Sequence, residues 1–283
     1  MATDLQGKTI LITGANTGIG RVTALELGGR GAQLVLAGRS EERHRPVLDE
    51  LRAAGIDATY LALDLGDLAS VKRAAATYLD GGKPLHVLIN NAGLAGIRGA
   101  TKDGFELIFG TNHLGPYLFT RLLLPRLREA AASGGARIVN VSSASHYKAK
   151  GFDWDAVHRP TATISGMPEY ERSKLANVVF TKELARGHAG EGVRSYSLHP
   201  GVVASDVWRG VPWPVRPIMK LFMITNEQGA RTTIHCAASP SVADHDGRYY
   251  DEEKEKAPNR VAESAELGKE LWSRSEELVG PFL

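Results

Sequence analysis

The chain has 283 residues, enough for one large α/β domain or two small ones with a sizeable core. Hydrophobic residues make up 43% and charged residues 23%, which excludes a wholly disordered protein. The formal net charge of +2 argues against a general nucleic-acid or membrane-surface binder.

The cysteine content and the N-terminal sequence bear on the cellular compartment. Cys236 is the only cysteine, so no disulfide can form within the chain, which fits a reducing compartment. Residues 1–8 lack the basic head and apolar run of a signal peptide, and no apolar stretch approaches the roughly 20 residues that cross a bilayer. We therefore expect a cytoplasmic protein with no membrane anchor.

Short apolar runs alternate with longer segments of helical period along the chain. In chain order, the runs span residues 9–13, 34–37, 59–63, 85–89, 137–141, 194–198 and 247–250. Because most of these runs are continuously apolar, they predict strands buried on both faces, as in a parallel sheet, with crossover helices between them. The pattern predicts an α/β fold of Rossmann type, as one domain over residues 1–283. Its sheet should be doubly wound, mostly parallel and seven-stranded, with helices on both faces.

A glycine-rich turn follows the first predicted strand. Residues 13–20 read Thr-Gly-Ala-Asn-Thr-Gly-Ile-Gly and lead into a helical pattern. Glycines let the backbone approach a pyrophosphate, and a helix N-terminus offers free N–H groups and a positive dipole end. The spacing G-x-x-x-G-x-G differs from the commonest dinucleotide fingerprint, and a simple tight turn is the alternative. The position between a strand and a helix favours the dinucleotide site.

The end of the second predicted strand indicates which nicotinamide cofactor such a site would take. An NAD site usually has an acid there to bind the ribose 2′-hydroxyl, whereas this chain has Arg39 and no carboxylate at the strand end. A guanidinium pairs well with a 2′-phosphate, so we predict NADP(H) rather than NAD(H). An exposed surface arginine is the alternative, and Glu41 and Glu42 nearby count against a phosphate.

Tyr170 and Lys174 lie four residues apart in a predicted helix and therefore share a face. A free tyrosine has a pKa of about 10, and a neighbouring ammonium favours the phenolate and lowers that pKa. The pair can thus act as an acid or a base near neutral pH. Because the same spacing occurs by chance on many surface helices, it carries weight only together with other motifs.

Taken together, these motifs resemble the short-chain dehydrogenase/reductase family over nearly the whole chain. The other matching elements are Asn90, Asn91, Ala92 and Gly93 after the fourth strand, Asn112, Ser142 and Ser143 at the end of the fifth strand, and residues 200–203 after the sixth. The sequence around Asn112, Lys174 and His199 is most similar to the retinol dehydrogenase-like branch, whose membrane members often carry an N-terminal anchor.

The resemblance implies a hydride transfer between NADP(H) and the carbonyl or alcohol carbon of a substrate. In that mechanism Tyr170 donates a proton to the developing alkoxide, and Ser143 hydrogen-bonds the same oxygen. Lys174 tunes Tyr170 and binds the nicotinamide ribose, while Asn112 holds a water that links Lys174 to solvent. Ser143 takes the catalytic position rather than Ser142, because it is the second residue of the pair, as in the family.

The resemblance also implies a set of cofactor contacts. Asp64 should meet the adenine beside the Leu65 amide, although capping a helix N-terminus is the alternative role for Asp64. Asn90 should reach the adenine-side ribose, and the Val203 backbone should bind the carboxamide with help from Ser205. Besides Tyr170 and Lys174, the predicted set is Gly14, Asn16, Thr17, Gly18, Ile19, Gly20, Arg39, Asp64, Leu65, Asn90, Asn91, Ala92, Gly93, Pro200, Gly201, Val203 and Ser205.

Two irregular segments are predicted near the substrate. The segment near residues 144–169 lengthens the family's usual gap between Ser143 and Tyr170. It either walls the substrate pocket or covers the helix that bears Tyr170, so both a monomer and a homo-oligomer remain open. The segment near residues 205–225 either forms a flap over a small hydrophobic carbonyl or alcohol substrate or packs the domain edge. Its apolar side chains are Trp208, Trp213, Ile218, Leu221, Phe222 and Met223.

Other functional classes find little support in the sequence. The histidines are scattered and no H-E-x-x-H occurs, so no metal site is predicted. The absence of a G-x-S-x-G elbow disfavours an α/β-hydrolase. A non-catalytic NADP-binding regulator or scaffold on the same fold is the remaining alternative, because a fold does not fix a function. The intact set of Ser143, Tyr170, Lys174 and Asn112 favours an enzyme that reduces ketones or aldehydes.

Overall fold

The computed structural model describes residues 4–201 and 224–283. The strands are β1 Thr9–Thr13, β2 Gln33–Gly38, β3 Ala58–Ala62, β4 Val87–Asn90, β5 Ala136–Val141, β6 Val193–His199, β7 Arg248–Asp251 and β8 Lys254–Glu255. They form one sheet in the order β3-β2-β1-β4-β5-β6-β7-β8. Neighbouring strands from β3 to β7 are parallel, and β8 runs antiparallel to β7. The predicted doubly wound, mostly parallel α/β sheet is therefore confirmed.

The sheet has eight strands rather than the predicted seven. The extra strand, β8, contains only the two exposed residues Lys254 and Glu255. It follows a turn in which Glu252 and Glu253 adopt φ values of 51° and 61°. A two-residue charged strand at a sheet edge has no apolar run, so hydrophobic patterning could not predict it.

Helices connect the strands on both faces of the sheet. They are α1 Gly18–Gly29, α2 Glu41–Ala53, α3 Leu68–Asp80, α4 Leu107–Phe109, α5 Gly115–Ala131, α6 Trp154–Val157, α7 Met167–Glu183, α8 Asn226–Ala238 and α9 Ala265–Val279. A π-helical turn, Gly110–Leu114, joins α4 to α5, and a 3₁₀ turn, Ala144–Lys148, follows β5. Within the described ranges, no helix has both the length and the apolar character needed to span a membrane.

The side chains of β1 show how the sheet builds two cores. Leu11 packs into a hydrophobic cluster with α3, α5, α7 and α9. Ile10 and Ile12 point to the other face and join a cluster with α1, α2 and α8. All three side chains are fully buried. Because successive residues of a strand alternate between faces, a wholly apolar strand requires helices on both sides.

The strand order reverses between β1 and β4, and this reversal positions the functional cleft. β1 pairs with β2 on one side and with β4 on the other. The chain segments that leave the carboxyl ends of β1 and β4 therefore diverge to opposite faces of the sheet. In open α/β sheets ligands bind in the crevice that such a divergence creates.

Candidate active site

A cleft of about 1070 Å³ opens at the carboxyl edge of the sheet, at the reversal between β1 and β4. It collects most of the predicted site residues, although these come from seven separate stretches of the chain. The predicted residues that line it are Gly14, Asn16, Thr17, Gly18, Ile19, Gly20, Arg39, Asp64, Leu65, Asn91, Ala92, Gly93, Ser143, Tyr170, Lys174, Pro200 and Gly201. Asn90 and Asn112 lie in the interior beside it, and Val203, Ser205 and the apolar residues predicted for a flap lie outside the described residues.

The glycine turn has a backbone geometry that side chains would block. Gly14 and Gly18 have φ values of +69° and +57°, in the left-handed region that favours glycine. A Cβ at Gly20 would lie 2.4 Å from the Gly14 carbonyl oxygen and 2.7 Å from Asn91 Nδ2. Among the described residues, no side chain caps the first turn of α1, so its N–H groups remain available to a ligand. This uncapped cradle fits the pyrophosphate of a dinucleotide.

Asn91 braces the glycine turn from the neighbouring strand. Its Nδ2 donates to the carbonyl oxygens of Thr13 at 2.9 Å and of Gly14 at 3.2 Å. The Thr13 hydroxyl oxygen accepts the backbone N–H groups of Asn91 and Ala92 at 3.1 and 3.0 Å. The side chain of Asn91 therefore shapes the cofactor cradle by holding β1 and β4 in register at their ends.

Two arginines stand at the end of the cleft beside β2. Arg39 and Arg43 both line the cleft and are exposed, and neither forms an ion pair with a residue in the described ranges. Ser40 lies between them, and its hydroxyl accepts the Arg43 backbone N–H at 3.3 Å as the N-cap of α2. Glu42 also lines the cleft. Arg43 lies in the first turn of α2, and a second basic residue so close to the end of the second predicted strand is a signal that could have identified it from the sequence.

Asp64 lines the cleft and does not cap a helix. Its Oδ1 accepts the Gly66 N–H at 3.0 Å, and its own N–H donates to the Ser70 hydroxyl at 3.1 Å. The N-cap of α3 is instead Asp67, whose Oδ1 accepts the Ser70 N–H at 3.0 Å. The capping role considered for Asp64 is therefore wrong, and its adenine contact stays a prediction.

Asn90 is oriented differently from the sequence expectation. Its Nδ2 donates to Thr120 Oγ1 at 3.0 Å and to Asn140 Oδ1 at 2.9 Å. Only 4% of the residue is exposed. The side chain thus joins a buried polar network between β4, β5 and α5, because the alternation along β4 turns it inward rather than toward a ribose.

Tyr170 and Lys174 lie on α7, which begins directly after Gly166 at a φ of 64°. Both residues are buried, and Lys174 Nζ lies 5.6 Å from the centroid of the Tyr170 ring. Nζ also donates to the Val141 carbonyl oxygen at 2.9 Å. Burial lowers the pKa of Lys174 to about 8.

Burial also raises the pKa of Tyr170, and a hydrogen bond with Ser143 acts in the opposite direction. From the sequence we expect the ammonium of Lys174 to lower this pKa. In the structure the loss of solvent around the phenol dominates instead, because a charged phenolate is poorly stabilised in a buried site. The phenol is therefore held in its protonated form, as a proton donor requires.

The Ser143 side chain lines the cleft beside Tyr170. Its hydroxyl oxygen accepts the Ser145 N–H at 3.1 Å, and the side chain also hydrogen-bonds Tyr170. An oxygen that already accepts one bond donates its own proton more strongly. The Ser142 hydroxyl donates to the Lys174 carbonyl oxygen at 2.7 Å, so this serine ties β5 to α7.

Asn112 lies in the π-helical turn between α4 and α5 and supports the cleft from behind. Its Oδ1 accepts the Leu94 N–H at 2.7 Å, and its Nδ2 donates to the Leu94 carbonyl at 2.9 Å and to Ser173 Oγ at 3.0 Å. A Cβ at Gly93 would be 3.4 Å from both Asn112 Oδ1 and Lys174 Nζ. Asn112 therefore fixes the loop after β4 beside Lys174, and its water-holding role stays a prediction.

The long segment between Ser143 and α7 packs against the helix that bears Tyr170. Arg172 of α7 lies 3.9 Å from the carboxylate of Asp153. The Trp154 ring is 6.1 Å from the Phe109 ring, and its Nε1 donates to Glu270 of α9 at 2.7 Å. Part of the segment thus packs against α7 and its neighbours, whereas Ala144 and Ser145 line the cleft, so both alternatives for this segment stay open.

The sequence reasoning missed several polar residues around the cleft. His44 Nδ1 lies 2.8 Å from the Ser40 carbonyl oxygen, and its ring occupies the space that a Cβ at Gly38 would need. His199 lines the cleft at the end of β6, and its Nδ1 is buried without a partner among the described residues. Within the same ranges, no group of three or more His, Cys, Asp or Glu residues is placed to hold a metal ion.

Comparison with known proteins agrees with this geometry. The sequence profile described as short chain dehydrogenase matches residues 8–155. Retinol dehydrogenase 13 of Homo sapiens is 39% identical over 287 residues, which cover 98% of this chain and 86% of that protein. Polyprenol dehydrogenase of Mus musculus is 39% identical over 284 residues, which cover 97% of this chain and 84% of that protein.

Among solved structures, an uncharacterised protein from Mycobacterium paratuberculosis superposes with a TM-score of 0.78 at 32% identity. The match covers 99% of this chain and 97% of that one. An oxidoreductase that uses a nicotinamide cofactor and acts on CH–OH groups is consistent with the cleft and with these relatives. The chain therefore belongs to the short-chain dehydrogenase/reductase family, in its retinol dehydrogenase-like branch.

Proposed function

We propose that this chain is an NADP(H)-dependent carbonyl reductase that acts on a small hydrophobic ketone or aldehyde. The observation that carries the proposal is the meeting of Ser143, Tyr170 and Lys174 in the cleft that begins with the glycine turn. A buried phenol, a polarised hydroxyl and an ammonium form the set that a carbonyl reduction needs.

The protein's part in the reaction follows from these three groups. The nicotinamide supplies the hydride when it is bound. The Tyr170 hydroxyl donates its proton to the substrate oxygen as negative charge develops there, and Ser143 donates a second hydrogen bond to the same atom. The ammonium of Lys174 stabilises the phenolate that Tyr170 becomes. In the reverse direction the phenolate accepts the proton of the alcohol.

The choice of NADP(H) is supported by the charges at the end of β2. Arg39 and Arg43 face the cleft without carboxylate partners among the described residues. An adenine ribose that carries a 2′-phosphate would supply the missing anion, whereas a 2′-hydroxyl would not. A preference for NADPH in turn favours the reductive direction.

An apolar substrate is supported by the neighbours of Tyr170 and by the relatives. Ala95, Ile108 and Met167 pack around Tyr170 as a small apolar cluster. The names of the relatives refer to retinol and polyprenol, which are apolar alcohols. Leu94, Leu107 and Val141 line the cleft itself, and a hydrophobic carbonyl compound would bury its apolar part against such side chains.

The proposal is tested by mixing the protein with NADPH and a panel of apolar carbonyls: all-trans-retinal, nonanal and acetophenone. We expect the nicotinamide absorbance to fall with at least one of them, and NADH to support a slower reaction. Tight NADPH binding without turnover across the panel would contradict the proposal and favour a non-catalytic NADP-binding regulator.

Replacement of the proton donor gives the first specific prediction. Tyr170→Phe should lower turnover by about 10²- to 10⁴-fold, the usual contribution of a positioned general acid. NADPH affinity, measured by fluorescence titration, should stay nearly unchanged. Tyr78→Phe is the matched control, because it removes a buried hydroxyl that donates to the Pro84 carbonyl oxygen at 2.8 Å, away from the cleft. Full activity of Tyr170→Phe would remove Tyr170 from its assigned role.

A further inference from the structure

The backbone of Ser143 is held by His146, a buried residue in the turn that Ser143 starts. His146 lies in the 3₁₀ turn after Ser143 and is fully buried. Its Nδ1 lies 2.6 Å from the Ser143 carbonyl oxygen, which also accepts the His146 backbone N–H at 3.1 Å. Two bonds from one residue thus fix the direction of the Ser143 carbonyl and, through it, the backbone that carries the hydroxyl.

The hydrogen-bond partner of Nε2 determines which nitrogen of the imidazole carries the proton. The backbone N–H of Asn259 points at His146 Nε2 at 3.0 Å, and a backbone N–H can only donate. Nε2 is therefore the acceptor, and Nδ1 carries the proton that it donates to Ser143. Burial lowers the pKa of His146 to about 4, which keeps the ring neutral at physiological pH.

Asn259 also holds the rest of the turn through its side chain. Its Nδ2 donates to the carbonyl oxygens of His146 at 2.8 Å and of Ala149 at 2.7 Å. Its Oδ1 accepts the Val261 N–H at 3.1 Å, which ties the residue into the segment before α9. Asn259 therefore fastens the middle and the end of the turn that starts at Ser143.

We infer that His146 and Asn259 are positioning residues that hold the Ser143 hydroxyl where the substrate oxygen is protonated. The inference rests on the proposed function for its kinetic consequences. The bonds form a continuous path from Asn259 through the imidazole to the backbone of Ser143. Catalysis is sensitive to displacements of about 1 Å, so loss of this path should slow the chemical step rather than weaken cofactor binding.

The first test replaces His146 by one residue that loses both imidazole bonds and by another that keeps the bond to Ser143. His146→Phe keeps an aromatic ring beside Tyr147 and Tyr249, whose centroids lie 4.0 and 4.7 Å away, but removes both nitrogens. With NADPH and retinal, or nonanal where retinal is not turned over, we expect kcat to fall about 10- to 100-fold with an unchanged NADPH Kd. His146→Asn can still donate to the Ser143 carbonyl and should restore part of kcat.

A matched control separates positioning from a general loss of stability. His86 is also buried and accepts a backbone N–H, that of Thr9, at 2.9 Å, but it lies at the opposite edge of the sheet. His86→Phe should lower the melting temperature with little change in kcat. Asn259→Ala, which leaves the imidazole in place, should reproduce the loss of kcat if His146→Phe does not fold.

A double-mutant cycle decides whether His146 acts through Ser143. In a Ser143→Ala background, His146→Phe should change kcat by less than about twofold, because the group that it positions is gone. The Ser143 hydrogen bond lowers the pKa of Tyr170, so its loss should raise that pKa. In alcohol oxidation, Ser143→Ala and His146→Phe should therefore each move the acidic limb of the kcat/KM profile to higher pH. Additive losses, or an unmoved limb, would overturn the inference.

A measurement without turnover separates failure of this inference from failure of the proposed function. If the wild-type protein reduces no carbonyl of the panel, the proposed function has failed. NMR of the histidine ring nitrogens then tests the path directly and should find His146 as the neutral Nδ1–H tautomer. An Nε2–H tautomer or a charged ring would refute the positioning path whatever the activity.

Discussion

The ammonium group of Lys174 lies in a buried site, and only 4% of the residue is exposed. Its Nζ donates to the Val141 carbonyl oxygen at 2.9 Å, and burial lowers its pKa to about 8. Burying a cation with partial compensation costs folding free energy. In the proposed mechanism the same cation stabilises a phenolate on Tyr170, and this role would offset the cost of burying it.

This cost of burial predicts how stability depends on pH. Between pH 8 and the ordinary lysine pKa of about 10.4, the unfolded chain keeps a proton that the folded chain has released, so folding becomes more favourable as pH rises. Without added cofactor, Lys174→Met should therefore be more stable than the wild type below pH 8. This advantage should shrink as the pH rises above that value.

Thermal unfolding over a series of pH values measures this difference. Lys269→Met, on an exposed face of α9, controls for the general effect of removing a lysine. An advantage of Lys174→Met that is constant or grows with pH would contradict the assigned cost of burial.

Single residues also show where sequence reasoning reaches its limit. Only the family resemblance separated Ser143 from Ser142, as the second residue of the pair; in the structure the Ser142 hydroxyl donates to the Lys174 carbonyl oxygen, and the catalytic role of Ser143 stays a prediction. Asn90 could not be placed correctly, since its partners Thr120 and Asn140 approach it only through the folded sheet. The contact between Asn259 and His146 could not be predicted for the same reason, because the two residues lie 113 positions apart in the chain.

The junction of β2 and α2 carries the basic side chains on which the proposed cofactor preference depends. The His44 ring packs under Gly38, where a Cβ would lie 2.3 Å from its Cε1. The Tyr60 hydroxyl donates to the Gly38 carbonyl oxygen at 2.6 Å. These contacts fix the end of β2. Arg39, which directly follows β2, and Arg43, in the first turn of α2, both line the cleft.

Removal of the Arg39 guanidinium should therefore discriminate between the two cofactors. A charge-assisted hydrogen bond contributes about 1.5–3 kcal/mol, so Arg39→Ala should weaken NADPH binding about 10- to 100-fold and leave NADH binding nearly unchanged. Arg43→Ala should act in the same direction. Titration of each variant with both cofactors measures the effect, and Arg45→Ala serves as the control because Arg45 is exposed on α2 outside the cleft. Equal losses for NADPH and NADH would remove the 2′-phosphate contact.

The parallel strands and the presence of helices on both faces were predictable from the sequence, whereas the short strand β8 and the position of α9 were not. Continuous apolar runs gave the parallel strands, because burial on both faces leaves a simple pattern in the sequence. The resemblance to a known family named the site residues, most of which line the cleft, and their individual roles stay predictions. The position of α9 was not predictable, since an amphipathic helix does not reveal which face of the sheet it covers.

Helix α9 packs through Trp272 against α5 and against α7, the helix that bears Tyr170 and Lys174. Its ring lies 5.2 Å from Tyr117 of α5 and 6.0 Å from Phe180 of α7, and it stacks on His188 at 3.7 Å. The Arg121 guanidinium lies 5.1 Å from the same ring. Because α9 follows the segment that contains Asn259, loosening this helix should also loosen the turn that holds Ser143.

Trp272→Ala should therefore reduce both stability and activity, although Trp272 is far along the chain from the residues that line the cleft. Loss of a packed tryptophan costs about 3 kcal/mol, which chemical denaturation measures directly. Well below the unfolding midpoint, kcat should fall while NADPH affinity stays near that of the wild type, because Ala15 of the glycine turn packs in the cluster on the other face of the sheet from α9. Trp272→Phe keeps an aromatic ring and should recover most of both losses. A destabilised variant with wild-type kcat would show that α9 and the Ser143 turn are mechanically independent.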